Sequence, residues 1–266
     1  MPASPSTATR PARADRRRLP VLPGGALERE DRSDVRVVSM HPVARPRSVR
    51  ISITDRCDFA CTYCRPSRTD GYAEKRLSVE GWRTTIAGLV EAGVRRVRIT
   101  GGEPLVHPHV VEIVRMISSF GVEDLALTTN ASQLARLAEP LARAGLRRVN
   151  VSIDSLRADR FEAITRGGQL ALVLAGIDAA RSAGMEPVKL NAVVLRGVND
   201  DELEPIVEYA WARGLVPRFL EVMPIAEGAK LVTDHLVPVA EMRRRLEPLL
   251  ADDEPTTEPD RGTARY

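Results

Sequence analysis

Cysteine, lysine and long apolar runs are all scarce in this 266-residue sequence, which has three cysteines and three lysines beside 36 arginines. No stretch approaches the roughly 18 consecutive apolar residues that a membrane span needs. Residues 1–36 lack the central apolar segment of a signal peptide. Three cysteines cannot pair completely, and so few do not suggest the disulfide framework of a small secreted domain. Excess charge is missing as well, since 39 basic residues face 36 acidic ones. Residues 1–46 hold nine arginines against five acids, which leaves 30 basic and 31 acidic residues from 47 onward. The basic balance belongs to the leader, and the body gives no compositional case for nucleic acid or membrane as a partner.

What is present is regular from residue 47. Residues 1–46, rich in Pro, Ala and Arg, read as a disordered leader; their prolines and acids oppose the amphipathic helix of a transit peptide. Short β-branched runs at 49–54, 96–100, 125–129, 148–153, 188–195 and 217–222 predict strands. Helical periodicity falls near 78–92, 107–119, 132–144, 170–183, 200–213 and 237–250, and residues 251–266 read as a loose tail. Gly93, Gly145, Gly184 and Gly214 follow helices, at the position best suited to a left-handed residue. The junctions AGVRRVRIT (92–100) and AGLRRVNVS (144–152) are near copies, which suggests successive βα units of one parallel sheet. Six such units suit an open barrel or a doubly wound sheet equally. In either, active groups gather at strand C-termini, here Thr54 and residues 100–103, 128–130, 152–154 and 221–223. Contact with water alone accounts for part of their polarity.

All three cysteines lie within eight residues, Cys57, Cys61 and Cys64, as C-x3-C-x2-C directly after a predicted strand. Structural cysteines would be scattered, and a disulfide would strand one thiol. A zinc site needs a fourth ligand, for which only His41, His107, His109 and His235 exist. A [4Fe–4S] cluster held by three thiolates fits better, because it leaves one iron open to a ligand.

This spacing, with Tyr63 just before the third cysteine, resembles the radical S-adenosylmethionine (SAM) superfamily. Thr100-Gly101-Gly102-Glu103-Pro104 at the next strand end is similar to the superfamily's SAM-binding segment. Glycines let backbone approach the methionine moiety, and Glu103 is expected on electrostatic grounds to pair with its ammonium. The resemblance implies a partial (β/α)6 TIM-type barrel, an α/β fold. It also implies reductive cleavage of SAM to a 5′-deoxyadenosyl radical that abstracts hydrogen from a substrate.

Further segments occur in order: RISITDRC (50–57), RITGGEP (98–104), LTTN (127–130), RVNVSIDSL (148–156), VKLN (188–191) and RFLEVMP (218–224). Together, over about 47–266, they resemble the GTP 3′,8-cyclase family of molybdenum cofactor biosynthesis. The resemblance assigns Cys57, Cys61 and Cys64 to the cluster and Tyr63, Gly102, Ser152 and Met223 to SAM. It assigns Arg50, Arg98, Thr128 and Lys189 to GTP. For Met223, core packing is an equal alternative. The implied product is 3′,8-cyclo-7,8-dihydro-GTP, passed to a cyclic pyranopterin monophosphate synthase. An electron donor such as flavodoxin or ferredoxin, a cytoplasmic location and a homodimer are further expectations.

The family also carries a second cluster on three cysteines of a C-terminal extension, whereas no cysteine follows Cys64 here. The family's terminal Gly-Gly is likewise absent, and Arg65 and Ala131 replace a usual apolar residue and a usual glycine. The expected organisation is a leader (1–46), a barrel (47–224) and a C-terminal helix and tail (225–266) shortened relative to the family. Two explanations stay open: a truncated cyclase, or a one-cluster enzyme acting on another nucleotide or sugar. A non-catalytic binding subunit is a further alternative.

Overall fold

The computed structural model describes residues 47–249 apart from 70, 71, 74 and 75. The expected leader and the tail beyond 249 lie outside the described residues. Six strands, β1 (Ser48–Ser52), β2 (Arg96–Thr100), β3 (Asp124–Thr129), β4 (Arg148–Ser152), β5 (Val188–Val194) and β6 (Val216–Glu221), form one sheet in sequential order. Every neighbouring pair is parallel. A doubly wound sheet would reverse its strand order partway; sequential order bends the sheet in one sense, as in an open partial barrel.

Register explains why alternate residues differ so sharply. Arg50 pairs with Arg98, Arg98 with Ala126, and Ala126 with Arg148. One row on, Thr128 pairs with Asn150 and Asn150 with Lys189; a further row pairs Ser152 with Asn191 and Asn191 with Arg218. Paired residues share a face, because side chains alternate along each strand. The other face carries Ile99, Leu127, Val149, Val151 and Leu190, all buried. One face is therefore apolar and packed against helices, and the opposite face is polar and cationic.

The helices are α1 (Val79–Glu91), α2 (Val110–Ser119), α3 (Leu134–Arg143), α4 (Ala158–Thr165), α5 (Leu170–Ser182), α6 (Leu203–Trp211), α7 (Gly228–His235) and α8 (Val239–Leu246). Ser78 caps α1 by accepting from the Gly81 N–H. Gly93 and Gly145, in the two copied junctions, both have positive φ, the conformation their placement predicts. Helices α4 and α7 were not expected from periodicity. Each spans eight residues, about two turns, which leaves little of a 3.6-residue repeat to read; α8 is as short but runs on into a 3-10 turn at Glu247–Leu249. A second small core of Val194, Leu203, Val207, Val237, Met242 and Leu246 seats α8 against α6. Among the described residues no helix is long and apolar enough to cross a membrane.

Candidate functional site

The three cysteines sit on the loop that leaves β1. That loop is bolted from two sides. Ala60 and Thr62 donate their N–H groups to the carbonyls of Thr165 and Ile164, at 3.2 and 2.9 Å, in the last turn of α4. Those are carbonyls that a helix end leaves without partners, so the loop caps α4 while α4 holds the loop. Arg166 adds a guanidinium bond to the Pro66 carbonyl at 2.6 Å. Beneath the loop, Phe59 meets Phe161 of α4 edge-on, ring centroids 6.0 Å apart.

From the other side the loop rests on Gly101 and Gly102. Gly102 and Glu103 donate to the carbonyls of Thr54 and Arg56, each at 2.7 Å. A Cβ on Gly101 would lie 2.3 Å from the Thr54 carbonyl oxygen, and one on Gly102 2.4 Å from that of Arg56. The glycines are thus required first by the cysteine loop itself, which occupies the space a side chain would need.

Glu103 is corrected by the structure. It is 1% exposed. Its Oε1 accepts from Leu105 N–H at 2.9 Å and Thr129 Oγ1 at 2.7 Å, and its Oε2 from Asn130 N–H at 2.6 Å. A carboxylate so enclosed does not reach out to an ammonium; it joins the end of β2 to the end of β3. Burial outweighs these donors and pushes its pKa up to about 7.

Tyr63 is half-buried and donates its hydroxyl to Asp154 Oδ2 at 2.7 Å. Burial raises the Asp154 pKa to about 6 and, with the Asp154 charge, raises that of Tyr63. Ser152 is half-buried at the end of β4. Met223 is 66% exposed, so core packing is not its role. Gly228 brings Met223 and Tyr63 together: its Cβ would fall 2.3 Å from one carbonyl oxygen and 3.2 Å from the other.

Cys57 and Cys61 are half-buried, Cys64 is exposed, and all three are free thiols. Burial pushes the Cys57 pKa up to about 11 and that of Cys61 higher still. Thiols in that state become thiolates when a cationic group binds them. No three His, Cys, Asp or Glu side chains among the described residues close on a point as a lone ion requires. Of the histidines a zinc site would borrow, His107 Nδ1 accepts from His109 N–H, His109 Nδ1 lies 3.2 Å from Glu112 and His235 Nδ1 lies 2.9 Å from the Arg196 carbonyl, and none of the three joins the cysteines in such a group. His41 lies outside the described residues. A cubane spreads three thiolates over three irons, and the donor set fits such a group.

The residues expected for GTP share the polar face of the sheet. Arg50 is exposed, Arg98 and Thr128 half-buried, and Lys189 buried. Arg98 Nε is buried without a hydrogen-bond partner. Burial first, and then Arg50, Arg148 and Arg218, hold the Arg98 pKa below the usual guanidinium value. Three residues that the sequence reading did not assign join this set: Arg218, Asn191 and Asn150. Arg218 donates to Asn191 Oδ1 at 3.0 Å and to Asn150 Oδ1 at 3.1 Å, while Asn150 Nδ2 lies 3.4 Å from Thr128 Oγ1. All three stand in the sequence segments singled out above, and strand parity is the signal that could have found them. Arg148 lies on the same face, paired through Nε with Asp124 at 2.6 Å.

Comparison with known proteins agrees with this geometry. The chain is 43% identical over 225 residues to the GTP 3′,8-cyclase of Marinobacter nauticus, covering 82% of this chain and 66% of that one. It is 44% identical to that of Rhizobium meliloti (75% and 58% covered) and 49% identical to that of Ectopseudomonas mendocina (66% and 54%). The chain thus spans between half and two thirds of these relatives' length. Among solved structures, Streptococcus suis SuiB bound to precursor peptide SuiA superposes with TM-score 0.65 at 18% identity, over 77% of this chain and 45% of that one. HydG, a maturase of the [FeFe]-hydrogenase, does so with TM-score 0.57 at 17% identity, over 74% and 47%. Both likenesses concern the fold alone. The profile of the Radical SAM superfamily matches residues 51–210, more than half of the sequence, and the chain belongs to that superfamily.

Proposed function

We propose that this chain is the radical core of a GTP 3′,8-cyclase. In this reading Cys57, Cys61 and Cys64 hold one [4Fe–4S] cluster, and Tyr63, Gly102, Ser152 and Met223 line the SAM site. Arg50, Arg98, Thr128 and Lys189, joined by Arg218, receive the triphosphate of GTP. The observation that carries the substrate is Arg98. A half-buried guanidinium crowded by Arg50, Arg148 and Arg218 concentrates positive charge that an anion relieves. The identity above 40% to curated GTP 3′,8-cyclases supports the same substrate.

When bound, the cluster would supply the electron that cleaves SAM, and the 5′-deoxyadenosyl group would take one hydrogen atom from the ribose, leaving as 5′-deoxyadenosine. The chain's own residues orient and exclude. The α4 bolt and the Gly101–Gly102 shelf hold the cysteine loop over the strand ends. The hydroxyl of Tyr63, fixed by Asp154, keeps its ring from turning. The cationic face fixes the phosphates, so the nucleoside is presented at a constant distance from the loop. The reading also brings a one-electron donor such as flavodoxin or ferredoxin, a synthase that consumes the cyclised product, and a cytoplasmic location.

The test is anaerobic reconstitution with iron and sulfide, then incubation with SAM and dithionite, with and without GTP. Formation of 5′-deoxyadenosine that GTP stimulates, with a cyclised nucleotide product, supports the reading. 5′-Deoxyadenosine that GTP does not stimulate moves the substrate to another nucleotide or sugar. A loaded cluster with no SAM cleavage overturns the enzymatic reading altogether.

A further inference from the structure

Beside Cys57 lies a buried polar bridge to which the cluster, GTP and SAM assignments above give no role. Asn130, 8% exposed, follows the end of β3. Its Oδ1 accepts from the Ser132 N–H at 3.0 Å, which settles the orientation of the amide: Nδ2 faces the other way. There it lies 2.7 Å from Asp58 Oδ1 and 3.9 Å from Cys57 Sγ. The two N–H bonds of one amide are therefore directed at two neighbouring groups, a carboxylate and a sulfur. Asp58 is held in turn by Ser132 Oγ, which donates to its Oδ2 at 2.5 Å. The backbone of Asn130 is fixed through Glu103 Oε2 at 2.6 Å. Phe59 N–H, at 3.4 Å, is a second donor to the same sulfur.

The arrangement has an electrostatic consequence once Cys57 is a thiolate ligand, and the argument rests on that part of the proposed function. Reducing a cluster adds negative charge to it and its sulfurs. A fixed N–H donor to a ligand sulfur favours the more negative state, and a neighbouring carboxylate opposes it. Asn130 stands between the two, supplying the first effect and offsetting the second. We propose that Asn130 is a positioning residue of the iron–sulfur site, its amide making the cluster easier to reduce, with Asp58 acting in the opposite sense.

The two residues predict shifts of opposite sign. Asn130→Leu keeps the branched shape and the number of heavy atoms and removes the donor, so its cluster should become harder to reduce. Asp58→Asn removes the charge; its Oδ1 still accepts from Asn130 and its Nδ2 still reaches the Ser132 hydroxyl, so its cluster should become easier to reduce. A purely structural role would loosen the loop in both variants and gives no reason for opposite signs. The measurement is an EPR-monitored redox titration of the full reconstituted chain without SAM, with iron content determined for each protein. About four irons per chain are expected. The expected effect is about a tenfold change in the reduced-to-oxidised ratio at fixed potential in each direction, or ~59 mV for a one-electron couple. Equal potentials in all three proteins, or shifts of the same sign, overturn the inference. If Asn130→Leu does not hold iron, Asp58→Asn decides alone: a rise supports the inference, and no change or a fall overturns it. A wild-type chain that takes up no iron instead overturns the ligand assignment beneath it.

Discussion

The hydroxyl of Tyr63 donates to Asp154 Oδ2 at 2.7 Å, across 91 residues of sequence. Asp154 Oδ1 accepts from Val193 N–H at 2.8 Å, so the same carboxylate touches the cysteine loop and β5. Burial raises its pKa from 3.8 to about 6, with a definite sign for stability. The folded chain binds a proton between those values that the unfolded chain has released, so stability falls as pH rises through that window. Asp154→Asn can still accept from Val193 and can donate to the Tyr63 oxygen, without titrating. Wild type should lose on the order of 2 kcal/mol relative to this variant between pH 4 and 6, measured by urea denaturation of the metal-free chain. A difference that stays flat across the window contradicts the assignment.

Gly102→Ala is expected to damage the loop before it touches any ligand. Its Cβ would lie 2.4 Å from the Arg56 carbonyl oxygen and 2.6 Å from that of Asp55, both backbone atoms. Relief requires the cysteine loop to move, at a cost of about 1–3 kcal/mol for overpacking. Lower iron retention after gel filtration, together with a lower Tm, is the expected outcome.

Arg98→Leu should separate stability from binding. The guanidinium is partly desolvated among three arginines, so its removal relieves repulsion and a buried unpaired N–H. Thermal melts without nucleotide should show a Tm equal to or above that of wild type. The stabilisation that GTP confers on wild type should shrink severalfold in the variant. A variant that melts lower yet keeps the full GTP shift would remove Arg98 from the anion site.

Phe161→Ala addresses the bolt. Phe161 is 1% exposed and meets Phe59 of the cysteine loop. Truncation of a buried aromatic costs about 3–5 kcal/mol. Because α4 also accepts the Ala60 and Thr62 N–H groups, cluster retention should fall together with Tm. Ile113→Ala in α2, also fully buried, serves as a control: it should lower Tm with less effect on iron content.

The elements that sequence resolved are those with local signals. Strand β2 matches its β-branched run at 96–100, and β4 begins at Arg148 as expected. Three cysteines in eight residues carry their chemistry on one loop, wherever the rest of the chain lies. The two-turn helices α4 and α7 escaped because neither runs on into a further turn, as the equally short α8 does at Glu247–Leu249. Glu103 was misjudged because charge and motif position say nothing about which lone pairs the fold has already occupied.

By itself the sequence determined the order of βα units, the glycines between them and the chemistry of the cysteine loop, since each is written in residues near one another. Tertiary structure decided the rest. Sequential strand order separated a partial barrel from a doubly wound sheet. Lateral register placed Arg50, Arg98, Thr128, Lys189 and Arg218 on one face. Contacts between residues 27 and 91 positions apart turned Glu103 inward and joined Tyr63 to Asp154. A hydrogen bond or an ion field depends on distances in space, and no local period in the chain records them.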